Sequence, residues 1–153
     1  MNIWIDGDAC PKAIKQILFR AANKRQVTLF MVANHMSNIP PSPFIKRVLV
    51  ESGFDAADKY IIAYAKPKDL VITADIILAD ELISADVIVL NPRGTLYTVN
   101  NMKSILALRD MNESLRSSGM LQGGLNQLSA KEIQSFSNYL DKILTQYSQR
   151  KGA

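Results

Sequence analysis

Short apolar runs alternate with helix-like segments along most of the chain, and this alternation constrains the fold more than any other feature. Residues 27–33 (VTLFMVA) are continuously apolar but too few for a buried helix, which is typical of a strand covered on both faces. Residues 11–24 begin with a proline, which is favoured at the first helical position, and then have apolar side chains at helical spacing. Strand, helix and strand in this order form a parallel crossover unit. The sequence therefore predicts an α/β fold.

The same reasoning extends to the other elements. It predicts strands at 2–5, 27–33, 44–50, 69–74 and 86–91, and helices at 11–24, 57–65, 76–84, 101–117 and 129–149. Ser129 and Glu132 have the spacing of a capping box, so the last helix is the clearest of the five. Residues 34–43 carry three of the six prolines and are predicted to be a surface loop. Together these elements predict one domain spanning 1–153, a three-layer α/β sandwich with a mostly parallel sheet, C-terminal helices and a flexible tail at 150–153.

Composition narrows the function classes only slightly. One cysteine excludes an intramolecular disulfide and a cysteine-rich zinc site. No apolar run is long enough to span a bilayer and no secretory signal is recognisable, so we expect a cytoplasmic protein without a membrane partner. The net charge of +4 favours acidic partners, of which RNA is the one we consider.

Acidic side chains follow the predicted strands. Asp6 and Asp8 come after the first strand, and Asp75 comes directly after residues 69–74. Asp58 begins the helix before that strand, and Asp80 is five residues beyond Asp75. Ligands of parallel α/β sheets bind at the carboxyl ends of the strands, and clustered carboxylates suit Mg²⁺ or Mn²⁺. We predict a metal site formed by these five carboxylates, with Asp6 and Asp75 as catalytic residues.

A simpler interpretation exists for three of these aspartates. Aspartate is common at helix N-termini, where it accepts hydrogen bonds from free backbone N–H groups and interacts with the positive end of the helix dipole. Asp8, Asp58 and Asp75, each taken alone, fit this capping role. Their common position at one sheet edge favours the metal interpretation, and both stay open on the sequence.

Candidate phosphate-binding groups lie in loops near the same edge. Arg93 belongs to the Asn-Pro-Arg-Gly turn after the strand at 86–91, and its planar guanidinium suits a phosphate. Ser42, Lys46 and Arg47 flank the proline loop and are predicted to form a basic rim. An ordinary turn with solvated charges is the alternative for Arg93 and for the rim.

The only histidine and the only cysteine have weaker claims to a function. His35 lies in a polar loop without a recognisable nucleophile, and we expect it to be solvated. Cys10 stands at a helix start, and we expect it to be a packing residue.

Several short motifs together resemble the bacterial YaiI/YqxD family, from the first strand to the last helix. They are IWIDGDACP at 3–11, PPSPF at 40–44, GFDAAD at 53–58, DLVITAD at 69–75, NPRG at 91–94, RD at 109–110, SG at 118–119 and GG at 123–124. That family, which has no established activity, is similar in turn to the PIN-like nucleases. The similarity implies acidic site residues at Asp6, Asp58, Asp75 and Asp80. Two positions depart from the family pattern, Gly7 for alanine and Lys59 for an acidic residue.

Three functions are compatible with these observations. The first is a metal-dependent ribonuclease-like phosphodiesterase in which Mg²⁺ or Mn²⁺ activates water. The second is a non-catalytic RNA-binding or regulatory module with the same fold. The third is a haloacid-dehalogenase-like phosphatase, with Asp6 as nucleophile, Asp8 as acid and Thr73 binding the phosphate; its usual cap and later acidic pair are not recognisable in the sequence.

Overall fold

The computed structural model describes residues 1–35, 38–51, 53, 55–117 and 127–151. The motifs at 118–119 and 123–124, and residues 152–153 of the predicted tail, lie outside these ranges. The strands are β1 (Asn2–Asp6), β2 (Thr28–Ala33), β3 (Ile45–Leu49), β4 (Leu70–Ile72), β5 (Ile88–Leu90) and β6 (Leu96–Tyr97). The helices are α1 (Lys12–Arg25), α2 (Ala56–Tyr64), α3 (Ile76–Ser84), α4 (Val99–Ser117) and α5 (Ala130–Lys151).

One sheet joins the six strands in the order β3-β2-β1-β4-β5-β6. All neighbouring strands are parallel except β5 and β6, which are antiparallel. The predicted α/β fold with a mostly parallel sheet is confirmed. β6 was not predicted, because two residues are too few to show an alternating pattern.

Helices cover both faces of the sheet, since each strand of the centre is apolar on both sides. On one face, Ile5, Met31 and Leu90 pack with α1 and with Phe136 of α5. On the other face, Trp4, Val71 and Val89 belong to a second cluster that includes residues of α2, α3 and α4. These two cores give the three layers expected from the sequence.

Helix ends follow local capping chemistry. Ser129 and Glu132 exchange hydrogen bonds, the backbone N–H of each donating to the side chain of the other at 3.0 and 3.1 Å, so the capping box at the start of α5 is confirmed. Thr98 and Asn101 make the same reciprocal pair at 2.8 and 3.1 Å. This second pair explains why α4 begins at Val99, two residues before the predicted start. α5 reaches Lys151, two residues beyond its predicted end.

A buried carboxylate fixes β1 beside β4 at the amino edge of the sheet. Asp69 is 5% exposed and accepts hydrogen bonds from the backbone N–H groups of Asn2 and Lys66 and from the indole of Trp4, all at 3.0 Å. Three donors compensate for the desolvation of the carboxylate. Asp69 therefore holds in register the two strands whose opposite ends carry Asp6 and Asp75.

In the ranges that the structure describes, no helix combines the length and the apolarity needed to cross a membrane.

Candidate active site

The chain changes direction across the sheet between β1 and β4. From β1 it proceeds outward to β2 and β3, and α2 then returns it to β4 on the other side of β1. Loops leaving two such strands diverge, and the crevice between them is the usual ligand position in an open α/β sheet. Ile5 pairs with Ile72, so Asp6 and Thr73 stand at the ends of neighbouring strands.

Asp6 closes the turn after β1 with its own side chain. Its Oδ1 accepts hydrogen bonds from the backbone N–H groups of Asp8 at 3.0 Å and Ala9 at 3.3 Å, and its carbonyl accepts one from Cys10 at 2.9 Å. Within the described residues, none of these bonds uses Oδ2. The turn thus fixes the carboxylate in one orientation at the edge of the sheet.

Asp75 caps α3, as the simpler interpretation predicts. Its Oδ1 accepts a hydrogen bond from the backbone N–H of Leu78 at 3.1 Å. Its own N–H donates to the hydroxyl oxygen of Thr73 at 3.0 Å. Thr73 therefore shapes the turn that leads into α3.

Asp58 extends from the first turn of α2 toward these two residues. Burial, followed by the charges of Asp75, Asp6 and Asp55, raises the pKa of Asp58 from its ordinary 3.8 to about 6. Three acidic groups from three different elements are therefore crowded at the point where the sheet changes direction.

Two depressions lie on either side of Asp6 and Asp58. One, of about 250 Å³, is also lined by Thr73, Asp75 and Pro92. The other, of about 200 Å³, is lined by further polar groups, which are Asp8, Asn34 and Asp55. Asp6 and Asp58 line both.

Asp8 belongs to the second depression and faces the loop after β2. Its Oδ2 accepts a hydrogen bond from the backbone N–H of Asn34 at 2.9 Å, and its Oδ1 lies 3.2 Å from Nδ1 of His35. The His35 side chain is 77% exposed, in agreement with the solvated histidine expected from the sequence. Asp8 and Asp75 are thus on opposite sides of Asp6.

Asp80 is not brought to this cluster by the helix that carries it. It is half-buried on α3 and lines neither depression, and its backbone carbonyl accepts a hydrogen bond from the Ser84 hydroxyl at 3.1 Å. Five residues on a helix rotate a side chain by about one and a half turns, so Asp75 and Asp80 face different directions. The role assigned to Asp80 remains a prediction from the resemblance.

Two polar groups of the site were missed by the sequence reasoning. Asp55 precedes α2 with φ of 62° and adds to the negative charge around Asp58. The Oδ1 atom of Asn34 is buried and has no hydrogen-bond partner in the part of the chain that the structure describes. Asp55 lies within the GFDAAD motif, which was the available signal, whereas Asn34 follows a strand end at a position that we assigned only to a loop.

Arg93 is engaged with the last helix. Its Nη1 lies 3.0 and 3.1 Å from the two carboxylate oxygens of Glu132, and its backbone N–H donates to Oδ1 of Asn91 at 2.7 Å. The backbone of Arg93 thus forms the ordinary turn that was the alternative on the sequence. Its side chain is held in an ion pair with Glu132. Phosphate binding by Arg93 remains a prediction, and it would compete with this ion pair.

The three residues of the predicted basic rim do not share one surface. Lys46 and Arg47 are consecutive in β3, so their side chains point to opposite faces of the sheet. Ser42 accepts a hydrogen bond from the backbone N–H of Phe44 at 3.1 Å and also contacts Asn23. Of the three, only Lys46 shares the sheet face that carries Asp6.

Cys10 is a packing residue. It is 9% exposed in the core beneath α1, and burial raises the pKa of its thiol to about 12. A thiol of this kind carries almost no thiolate at neutral pH, which agrees with the packing role expected from the sequence.

Comparison with known proteins identifies the group to which the sequence belongs. Residues 4–146 match the model of the Uncharacterized BCR, YaiI/YqxD family. The chain belongs to the YaiI/YqxD family. A UPF0178 protein from Shewanella loihica is 52% identical over 150 residues, covering 98% of this chain and all of that protein. One from Legionella pneumophila strain Lens is 56% identical over 144 residues, covering 94% and 97% of the two chains. No solved structure matches the sequence, and the resemblance to PIN-like nucleases is not confirmed.

The chemistry of the acidic residues in this YaiI/YqxD protein fits a hard divalent cation. Carboxylate oxygens are the preferred ligands of Mg²⁺ and Mn²⁺, and Asp6, Asp58 and Asp75 present them around one depression. In the described ranges, however, no three Asp, Glu, His or Cys side chains are already grouped tightly enough to hold a metal ion. A cation would therefore have to draw the carboxylates together.

Proposed function

We propose that this YaiI/YqxD protein is a phosphodiesterase that depends on Mg²⁺ or Mn²⁺ and cleaves RNA. The crowding of Asp6, Asp58 and Asp75 supports this function, because like charges this close repel one another and a cation that shared the site would relieve the repulsion. A bound divalent ion would activate water and neutralise charge on a phosphodiester.

The residues of the site have different tasks in this proposal. Asp6 and Asp75 are held by backbone hydrogen bonds, so they offer ligand oxygens at fixed positions. In the described ranges no backbone N–H donates to Asp58, so its carboxylate can turn toward an entering cation. Asp8 would contribute from the second depression.

The test is an RNA cleavage assay on a mixed pool of single-stranded RNA. Cleavage is expected in Mn²⁺ and should be abolished by EDTA and by the double substitution Asp6→Asn/Asp75→Asn. Asp110→Asn makes the same chemical change at an exposed position of α4 and should leave cleavage unchanged. Cleavage that survives EDTA or the double substitution would refute the proposal.

Other outcomes would identify the alternatives. RNA binding without turnover, insensitive to EDTA, would indicate a non-catalytic RNA-binding module. Release of phosphate from p-nitrophenyl phosphate, without cleavage of RNA, would instead indicate a phosphatase.

A further inference from the structure

A row of aromatic side chains lies beside the acidic site on the same face of the sheet. Trp4 of β1 pairs with Phe30 of β2, and Phe30 pairs with Lys46 of β3, so these three side chains share one face. The rings of Trp4 and Phe30 are stacked, with centroids 4.4 Å apart. Asp6 is two residues beyond Trp4, which puts it on this face about 6.6 Å further along the strand.

Helix α2 continues this row to the surface. The ring of Tyr60 lies 6.2 Å from that of Trp4 and 4.4 Å from that of Tyr64. Tyr64 is 56% exposed although it is large and aromatic. Asp58 belongs to the same helix, six residues before Tyr64, and this spacing corresponds to about 9 Å along the axis. We call Phe30, Trp4, Tyr60 and Tyr64 the aromatic strip.

Positive charge flanks the strip. Lys46, Lys59 and Lys66 are exposed, and no ion pair engages their side chains in the described ranges. Tyr64 is the exposed ring, whereas Phe30 and Tyr60 are half-buried. An exposed aromatic ring near lysines is a surface that single-stranded nucleic acids use, because every base can stack and every phosphate is an anion.

We propose that the aromatic strip binds single-stranded RNA and leads it to the acidic site, with a base stacked on Tyr64 and a phosphate near Lys46. This inference rests on the proposed function, which identifies the ligand as RNA. It adds the surface by which the protein would bind single-stranded RNA. Lys46 was a candidate phosphate ligand on the sequence alone, and the strip supplies the aromatic partners of that lysine.

Binding is measured by fluorescence anisotropy with fluorescein-labelled twelve-residue oligoadenylate, in the Asp6→Asn/Asp75→Asn background so that the probe is not cleaved. Stacking of one base predicts that Tyr64→Ala raises Kd at least about fivefold, whereas Tyr64→Phe keeps it within about twofold. Lys46→Ala should lower the slope of log Kd against log salt by about one. Leu108→Ala is the control, since Leu108 on α4 is also 56% exposed.

The outcomes separate this inference from the proposed function. An unchanged Kd for Tyr64→Ala and an unchanged salt slope for Lys46→Ala would overturn the proposal that the aromatic strip binds RNA. A Tyr64→Ala variant that changes the oligomeric state but not Kd would show that the strip contacts a second copy, and would overturn it too. Hydrolysis of bis(p-nitrophenyl) phosphate in Mn²⁺ by the chain with Asp6 and Asp75 intact tests the catalytic proposal independently, because that small diester does not reach Tyr64.

Discussion

Replacing Asp58 by asparagine should make the metal-free protein more stable at neutral and alkaline pH. Asparagine has nearly the shape of the protonated aspartic acid and keeps a donor for the Asp75 carboxylate. It removes the charge that burial and the carboxylates of Asp75 and Asp6 disfavour. A gain in stability from deleting a charged side chain is unusual, since most substitutions destabilise.

The size of the stability gain expected for Asp58→Asn follows from the pKa of Asp58. A rise from 3.8 to about 6 corresponds to at most about 3 kcal/mol, at about 1.4 kcal/mol per pKa unit. Because Asp58 is only half-buried, solvent screening reduces this to about 1–2 kcal/mol. The folded protein binds this proton more tightly than the unfolded chain, so the free energy of unfolding decreases as the pH rises from about 4 to about 6. Above about pH 6 Asp58 is ionised in the folded protein, and the full destabilisation from its charge is present.

Urea unfolding in EDTA at pH 4.5 and pH 8 measures this effect. At pH 8 Asp58→Asn should raise the free energy of unfolding by about 1–2 kcal/mol, or Tm by about 2–8 °C for a chain of this size. At pH 4.5 the gain should be much smaller. Asp80→Asn is the control, because Asp80 is not among the charges that act on Asp58. If Asp58→Asn were destabilising by the same amount at both pH values, the claim that these carboxylates are crowded would be wrong.

Three further predictions concern the frame around the site. Asp69→Ala leaves the buried indole N–H of Trp4 and two partly buried backbone N–H groups unpaired, and should lower the free energy of unfolding by about 3 kcal/mol. Unfolding can be measured by the fluorescence of Trp4, whose indole loses its partner. Cys10 should react with Ellman's reagent only on unfolding, and rapid reaction of the folded protein at pH 8 would contradict the pKa of about 12. Gly7→Ala should cost about 1–3 kcal/mol in thermal unfolding, since the new Cβ would lie 2.7 Å from Cγ of Met31. In a Met31→Ala background, which is itself destabilised because Met31 is buried, the same change should cost less.

The sequence predicted the sheet and its helices well because apolar periodicity records which faces are buried. It also predicted that Asp6 and Asp75 share an edge, since the carboxyl ends of parallel strands always do. It did not reveal that Asp8 turns toward Asn34, because a turn's direction depends on hydrogen bonds to a distant strand. It could not show that Arg93 meets Glu132, because the two are 39 residues apart and only the packed fold joins them.

Capping and metal binding were alternatives for Asp8, Asp58 and Asp75 on the sequence, and of these three Asp75 is the one whose side chain caps a helix in the described ranges. A carboxylate has two oxygens, so one oxygen of Asp6 or Asp75 can hold a turn while the side chain still faces the depression. In the described ranges Asp58 has no such backbone bond, and burial and the neighbouring carboxylates raise its pKa to about 6. Substituting Asp6 or Asp75 therefore perturbs backbone geometry and charge together, whereas Asp58→Asn changes mainly charge. Mn²⁺ should raise the Tm of the native sequence and raise that of Asp58→Asn less. If the Mn²⁺-induced rise were equal in both, Asp58 would not be a ligand.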